Sequence, residues 1–145
     1  MWKRKLHITA VVMLFVSIFA LAGCGGSTGN PRITGLAPDQ VVKTVFNEVK
    51  ANQMNDAKEY LAPNTSGDNA SIQTMKNSNL LSVKTVASQG DYAVVVATMQ
   101  QQNTTSFTVK PVGLEKINGE WYIVDVNNIY NNAKYALLEK LLSNL

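Results

Sequence analysis

The amino-acid sequence predicts an α+β domain in which N-terminal helices pack on a four-stranded antiparallel sheet, with an amphipathic helix at the C-terminus. Three observations predict it. Val41, Val42, Val45, Phe46 and Val49 recur at helical spacing and make one apolar face. Near residue 80 the hydrophobic period switches from that of a helix to that of a strand. Asn118-Gly119 then separates the last two strand-like runs, and this dipeptide is a strong hairpin signal because both residues tolerate positive φ.

The elements follow in order. Pro38 suits the first turn of a helix, and Asn52 interrupts that helix. A second short helix carries Met54, Ala57, Tyr60 and Leu61 on its inner side, and Pro63 ends it. Residues 64–70 read as a polar loop, and Ser71 to Lys76 as one further helical turn around Ile72 and Met75. Leu80 to Ser88 reads as a strand, with a turn at Gly90-Asp91. Tyr92 to Met99 is apolar on both alternating sets, Tyr92, Val94 and Val96 against Ala93, Val95 and Ala97, which predicts a central strand covered on both faces. Thr105 to Ile117 is a long strand in which Lys110-Pro111 predicts a bulge or bend, because proline cannot donate to a ladder. Glu120 to Asn127 is the last strand of the expected meander.

After Asn127-Asn128 the chain continues as an amphipathic helix over 130–144. Its stripe, Leu137, Leu138, Leu141, Leu142 and Leu145, is too apolar to stand in water. It is expected to close over the chain's own sheet, with Lys134, Glu139 and Lys140 toward solvent. A surface for a second copy or for another protein is the alternative.

The N-terminal segment has a different character. Residues 1–5 are positively charged, and residues 8–22 are uncharged and mostly apolar. That run is short of the about 20 residues a spanning helix needs, so it reads as a signal peptide. Leu21-Ala22-Gly23-Cys24 follows in register and resembles the lipobox of bacterial lipoproteins. The resemblance implies lipid on Cys24, cleavage before it, and an extracytoplasmic protein anchored to the membrane. On this reading residues 1–23 are leader and residues 24–37, rich in Gly, Ser and Thr, are a flexible tether with a reach of roughly 20 Å. Residues 38–145 form the domain.

The ordered set of Pro38 to Val42, Asn55 to Leu61, Gly90 to Val95 and Leu114 to Val126 resembles the NTF2-like, cystatin-like lipoprotein domains of bacteria, close to the DUF4878 type. The resemblance covers about residues 38–126. It implies a curved sheet wrapped against the first helix as a cone with one open mouth. In that fold the last strand usually ends the domain, so the C-terminal helix is a departure.

Composition excludes several chemistries. The chain has one histidine, His7, and one cysteine, Cys24. With His7 in the leader, no Cys/His zinc site, histidine triad or Cys–His dyad can be built from the rest. An internal disulfide is excluded as well. Lys3, Arg4 and Lys5 are three of the thirteen basic residues, so the chain beyond residue 23 balances ten basic against ten acidic residues. It lacks the cationic surplus that nucleic acid demands. No cofactor motif is present.

Few residues are candidates for chemistry. Asp56 and Glu59 lie three apart on a helix and read as a solvated face beside Lys58. Asp125 shares a face with Trp121 and Ile123, and could act as a general base with Tyr60 or Tyr92 as hydroxyl donor. The expected function is a membrane-tethered, non-enzymatic binding or interaction module of the cell envelope. Its partners would be the membrane, through the lipid anchor, and an envelope protein or second copy through the C-terminal helix. Two further readings stay open: a carrier of a small apolar ligand in the cone, and a histidine-free isomerase or dehydratase using Asp125.

Overall fold

A computed structural model describes residues 30–65 and 69–145. Leu21, Ala22, Gly23 and Cys24 lie outside the described residues.

Helix α1 (Pro38–Lys50) begins where the sequence predicts. The Ala37 N–H donates to Gln40 Oε1 at 2.9 Å, and Asp39 sits in the first turn, where the helix dipole favours an anion. All five predicted apolar residues of α1 are buried. The chain then turns through Asn52 at φ 61° into the short helix α2 (Met54–Lys58). Residues 60–62 leave α2 extended. Helix α3 (Asn69–Lys76) follows, and Lys50 Nζ ties its end to the sheet by donating to the carbonyls of Lys76 (3.1 Å) and Ser78 (2.9 Å).

The sheet is the expected antiparallel meander. Strands β1 (Ser78–Gln89), β2 (Tyr92–Gln101), β3 (Phe107–Ile117) and β4 (Glu120–Ile123) lie in that order. Asn118 and Gly119 take φ values of 52° and 87°, the two-residue turn that suits the strand twist. β2 is covered on both faces. Val95 and Ala97 pack against α1, and Val94 packs against the C-terminal segment. Residues 60–62 cover the outer edge of β4: Leu61 bridges Ile123, and Ile123 N–H donates to the Tyr60 carbonyl at 2.9 Å.

Four details depart from the sequence reading. Pro111 causes no bulge, and the β2–β3 register runs unbroken from Phe107 to Glu115. The odd-numbered residues of β3 face away from β2, so the proline's missing donor lies on the free side of the strand. The two register shifts lie instead between β1 and β2, at Leu80/Ser82 and Thr85/Ala87.

The second departure is the length of β4, which ends at Ile123 rather than near Asn127. Asp125 ends it by capping the next helix: its Oδ1 accepts the Asn127 N–H at 2.7 Å.

The third concerns the C-terminal helix expected over 130–144. It is helix α4 (Val126–Asn131), a 3-10 turn (Ala133–Tyr135) and helix α5 (Ala136–Ser143). Asn132 breaks it with an extended backbone, φ −131° and ψ 117°, and its side chain accepts the Lys134 N–H. This segment does not close the α1 side of the sheet. Ile129, Tyr135 and Leu138 pack with Val94 and Val124 on the opposite face. Leu138 is fully buried, Leu137, Leu141 and Leu142 are half-buried, and Leu145 is exposed.

The fourth concerns the stretch read as a tether to Ala37. Residues 30–37 are bonded to the domain, through contacts described below.

Candidate functional site

Because β4 stops at Ile123, β3 continues beyond it paired only with β2, and the elements around its free side do not close. α1, α2 and α3 stand on one side, and α4 and α5 on the other. Between them lies a pocket of about 420 Å³. Val45, Val49, Met54, Ile72 and Met75 line it from the first three helices. Val112 and Ile123 line it from the sheet, and Val126, Ile129, Tyr130 and Leu142 from the C-terminal segment. Its polar margin is Lys58, Thr65, Ser71, Lys110 and Asp125. Val126 and Tyr130 remain about half exposed at its mouth.

The pocket brings only one of the three acid/base candidates to its wall. Asp125 is there, but it is engaged as the α4 cap, and its own N–H faces Thr65 Oγ1 at 3.4 Å. Tyr60 is buried elsewhere, and its hydroxyl accepts the Ile33 N–H at 2.9 Å. Tyr92 lies on the other face of the sheet and donates to the Lys134 carbonyl at 3.0 Å. Leu142 is the one stripe leucine at the pocket wall; Leu137 and Leu141, expected to close the cone, are not there.

Two polar clusters lie outside the pocket lining, and sequence reasoning missed both. The first holds residues 30–37. The Arg32 guanidinium lies 3.9 Å from the Tyr122 ring centroid and 5.0 Å from that of Tyr60. It donates to the carbonyls of Trp121 (2.8 Å) and Glu59 (3.2 Å) and lies 3.9 Å from Glu120. Glu120 also accepts the Gly35 N–H. Asn30 donates to Asp56 Oδ2 from its backbone and its side chain, each at 3.3 Å. Asp56, read as part of a solvated face, is therefore buried under residue 30, while Glu59 is exposed. A signal existed: Arg32 is the only arginine after residue 4.

The second cluster anchors the C-terminal segment. Lys134 Nζ lies 2.6 Å from buried Glu115 Oε1, and Tyr135 donates its hydroxyl to Glu115 Oε2 at 3.1 Å. Tyr92 and Tyr135 meet edge to face, 6.2 Å between centroids. Lys134 was expected in solvent; its side chain is half exposed, but its ammonium is paired. The hydrogen bond to Glu115 holds the Lys134 ammonium above its ordinary value. Burial first, and Glu115 second, raise both tyrosines.

Among the described residues no group of His, Cys, Asp and Glu could hold a metal ion, and no helix is long and apolar enough to cross a membrane. Fold and site together define a small α+β domain with an apolar pocket beside a free sheet edge. No protein family matches the chain, and no curated protein matches it.

Proposed function

We propose that this chain is a lipid-tethered, non-enzymatic binding module of the bacterial cell envelope, and that its pocket takes a small apolar ligand. The observation that carries the reading is the pocket itself. Its volume falls in the range of about 300–1,000 Å³ typical of small-molecule sites, and its walls are mostly aliphatic. Lys58 and Lys110, both exposed, stand at its margin. They favour an amphiphile with an apolar tail and an anionic head, such as a fatty acid. The membrane tether rests on the lipobox resemblance of Leu21 to Cys24.

The isomerase or dehydratase reading gains nothing from the geometry. Asp125 serves a helix cap, and neither Tyr60 nor Tyr92 lines the pocket. Titration of the mature chain with a fluorescent long-chain fatty acid tests the ligand class. Saturable binding of one molecule per chain is expected. Met75→Trp, which fills the pocket, should weaken it at least tenfold without lowering the melting temperature by more than a few degrees. Absence of saturable binding, or equal binding by the filled variant, would overturn the reading.

A further inference from the structure

β4 pairs with β3 only from Leu114 to Ile117, and the Val124 N–H adds one bond to the Gly113 carbonyl at 2.9 Å. That bond fixes which groups of β3 face outward. Gly113 points away from β2, so by alternation Pro111, Val109 and Phe107 do too, while Thr108 and Lys110 bond toward β2. The opposite edge of the sheet, β1, is blunted by two bulges and Lys84. The β3 edge has no bulge. Phe107 and Val109 are each 62% exposed, and among the described residues no strand pairs with them on this side.

We propose that two copies of this chain pair through this edge, antiparallel about a two-fold axis at Val109, and join their sheets into one. The donors and acceptors select both partner and register. The outward groups are the N–H of Phe107 and Val109 and the carbonyls of Phe107, Val109 and Pro111; proline supplies no donor. About an axis at Val109, the two valines exchange both their bonds. Each Phe107 N–H meets the Pro111 carbonyl of the partner subunit. The missing proline donor then falls at the two ends of the paired segment, where the unmatched Phe107 carbonyl stays in water. An axis at Pro111 would set two donorless residues against each other. It would also bring Gly113, already bonded to Val124, into the pairing. An axis at Thr108 would oppose Pro111 to Thr105, which lies in the turn before β3.

Side chains fit the same register. Lys110 stands opposite the partner subunit's Thr108, so the two lysines do not face each other. Phe107, Val109 and Pro111 lie on the α5 face and form one apolar stripe with their symmetry mates. The partner subunit's Phe107 packs beside Pro111, which lines the pocket, so each copy contributes a residue to the rim of the other's site. Beyond residue 23 the chain is formally neutral, so two copies meet without net repulsion. If Cys24 carries lipid, confinement to one membrane raises the effective concentration of each copy for the other; the edge geometry stands without it.

Disulfide trapping of the mature chain in its own membrane tests the pairing. Cα atoms across a hydrogen-bonded antiparallel pair lie about 5.5 Å apart, within disulfide reach. Val109→Cys should therefore form covalent dimers on mild oxidation. Thr108→Cys, on the diagonal at roughly 7–8 Å, should form several-fold fewer. The unsubstituted chain, with Cys24 alone, sets the baseline. Val109→Pro removes the outward N–H, which the single copy does not use. It should keep its melting temperature within a few degrees and lose the dimer in analytical ultracentrifugation. Equal trapping at 108 and 109, stronger trapping at 108, or a dimer that survives Val109→Pro would each overturn the proposal.

Discussion

Gly113 lies directly beneath Leu138. A Cβ at position 113 would stand 3.0 Å from Leu138 Cδ2 and 2.7 Å from Ile129 Cδ1. Those side chains are 0% and 2% exposed, so neither can swing into water. The missing side chain is what lets α4 and α5 settle on the sheet and form the far wall of the pocket.

Gly113→Ala should therefore destabilise the domain by about 1–3 kcal/mol through overpacking, even though alanine suits a strand better than glycine. Leu138→Ala should cost about 2–5 kcal/mol through the cavity it leaves. The two substitutions share one contact, so in the double variant the Gly113→Ala cost should shrink. Denaturant titration of the four chains checks this. Simple additivity would place the overpacking somewhere else.

Arg32 holds residues 30–37 against the domain through two ring faces, two carbonyls and Glu120. Arg32→Ala should expose that segment to limited proteolysis and lower stability by about 1–3 kcal/mol. Arg32→Lys should rescue little, because an ammonium cannot stack on Tyr122 and reach both carbonyls at once. Cleavage of the wild-type segment as fast as in the variants would contradict the anchoring.

The Glu115 cluster makes the C-terminal segment sensitive to alkali. Tyr92 and Tyr135 are raised above the ordinary tyrosine value of 10.0, and Lys134 above the ordinary lysine value of 10.5. For each group the folded state holds its proton to higher pH than the unfolded state does. Stability is then fully present below about pH 10 and falls as pH rises through the folded values. Lys134 is half exposed, so its share is small. Melting temperatures between pH 8 and 11 should decline above about pH 10. In Glu115→Gln the decline should be shallower, from a lower starting point. A flat wild-type profile would remove these groups from the stability of the fold.

The proposed lipid on Cys24 predicts that the membrane-extracted chain begins at that residue and carries the mass of acyl chains. Cys24→Ala should leave the membrane fraction or keep its leader. A mature-sized Cys24→Ala chain that stays firmly membrane-bound without lipid would contradict the tether.

The sequence made α1, the meander and the two-faced β2 legible because their signals are local: a helical valine stripe, an Asn-Gly turn, and alternation on both faces of Tyr92 to Met99. The early end of β4 was not legible. Val124-Asp125-Val126 continues the strand period, and only the cap made with Asn127 shows the chain turning into a helix. The leucine stripe announced burial but not the face. Gly113, over which Ile129 and Leu138 pack, reads in sequence only as part of the long strand. Likewise, the Gly, Ser and Thr around Arg32 hid a side chain that ties residues 30–37 to the domain. Of the candidate site residues, Asp125 does reach the pocket, while Tyr60 and Tyr92 belong to the two anchoring clusters. Their partners are 27 and 42 residues away in sequence, beyond any local pattern.

Occupancy of the pocket is tested most directly by native mass spectrometry of the chain extracted gently from the cells that make it. One small apolar molecule should be retained per chain, and Val112→Trp, which fills the pocket from β3, should retain none. Wild-type chain that carries nothing at any extraction condition, or a filled variant that retains the same molecule, would contradict a ligand in this pocket.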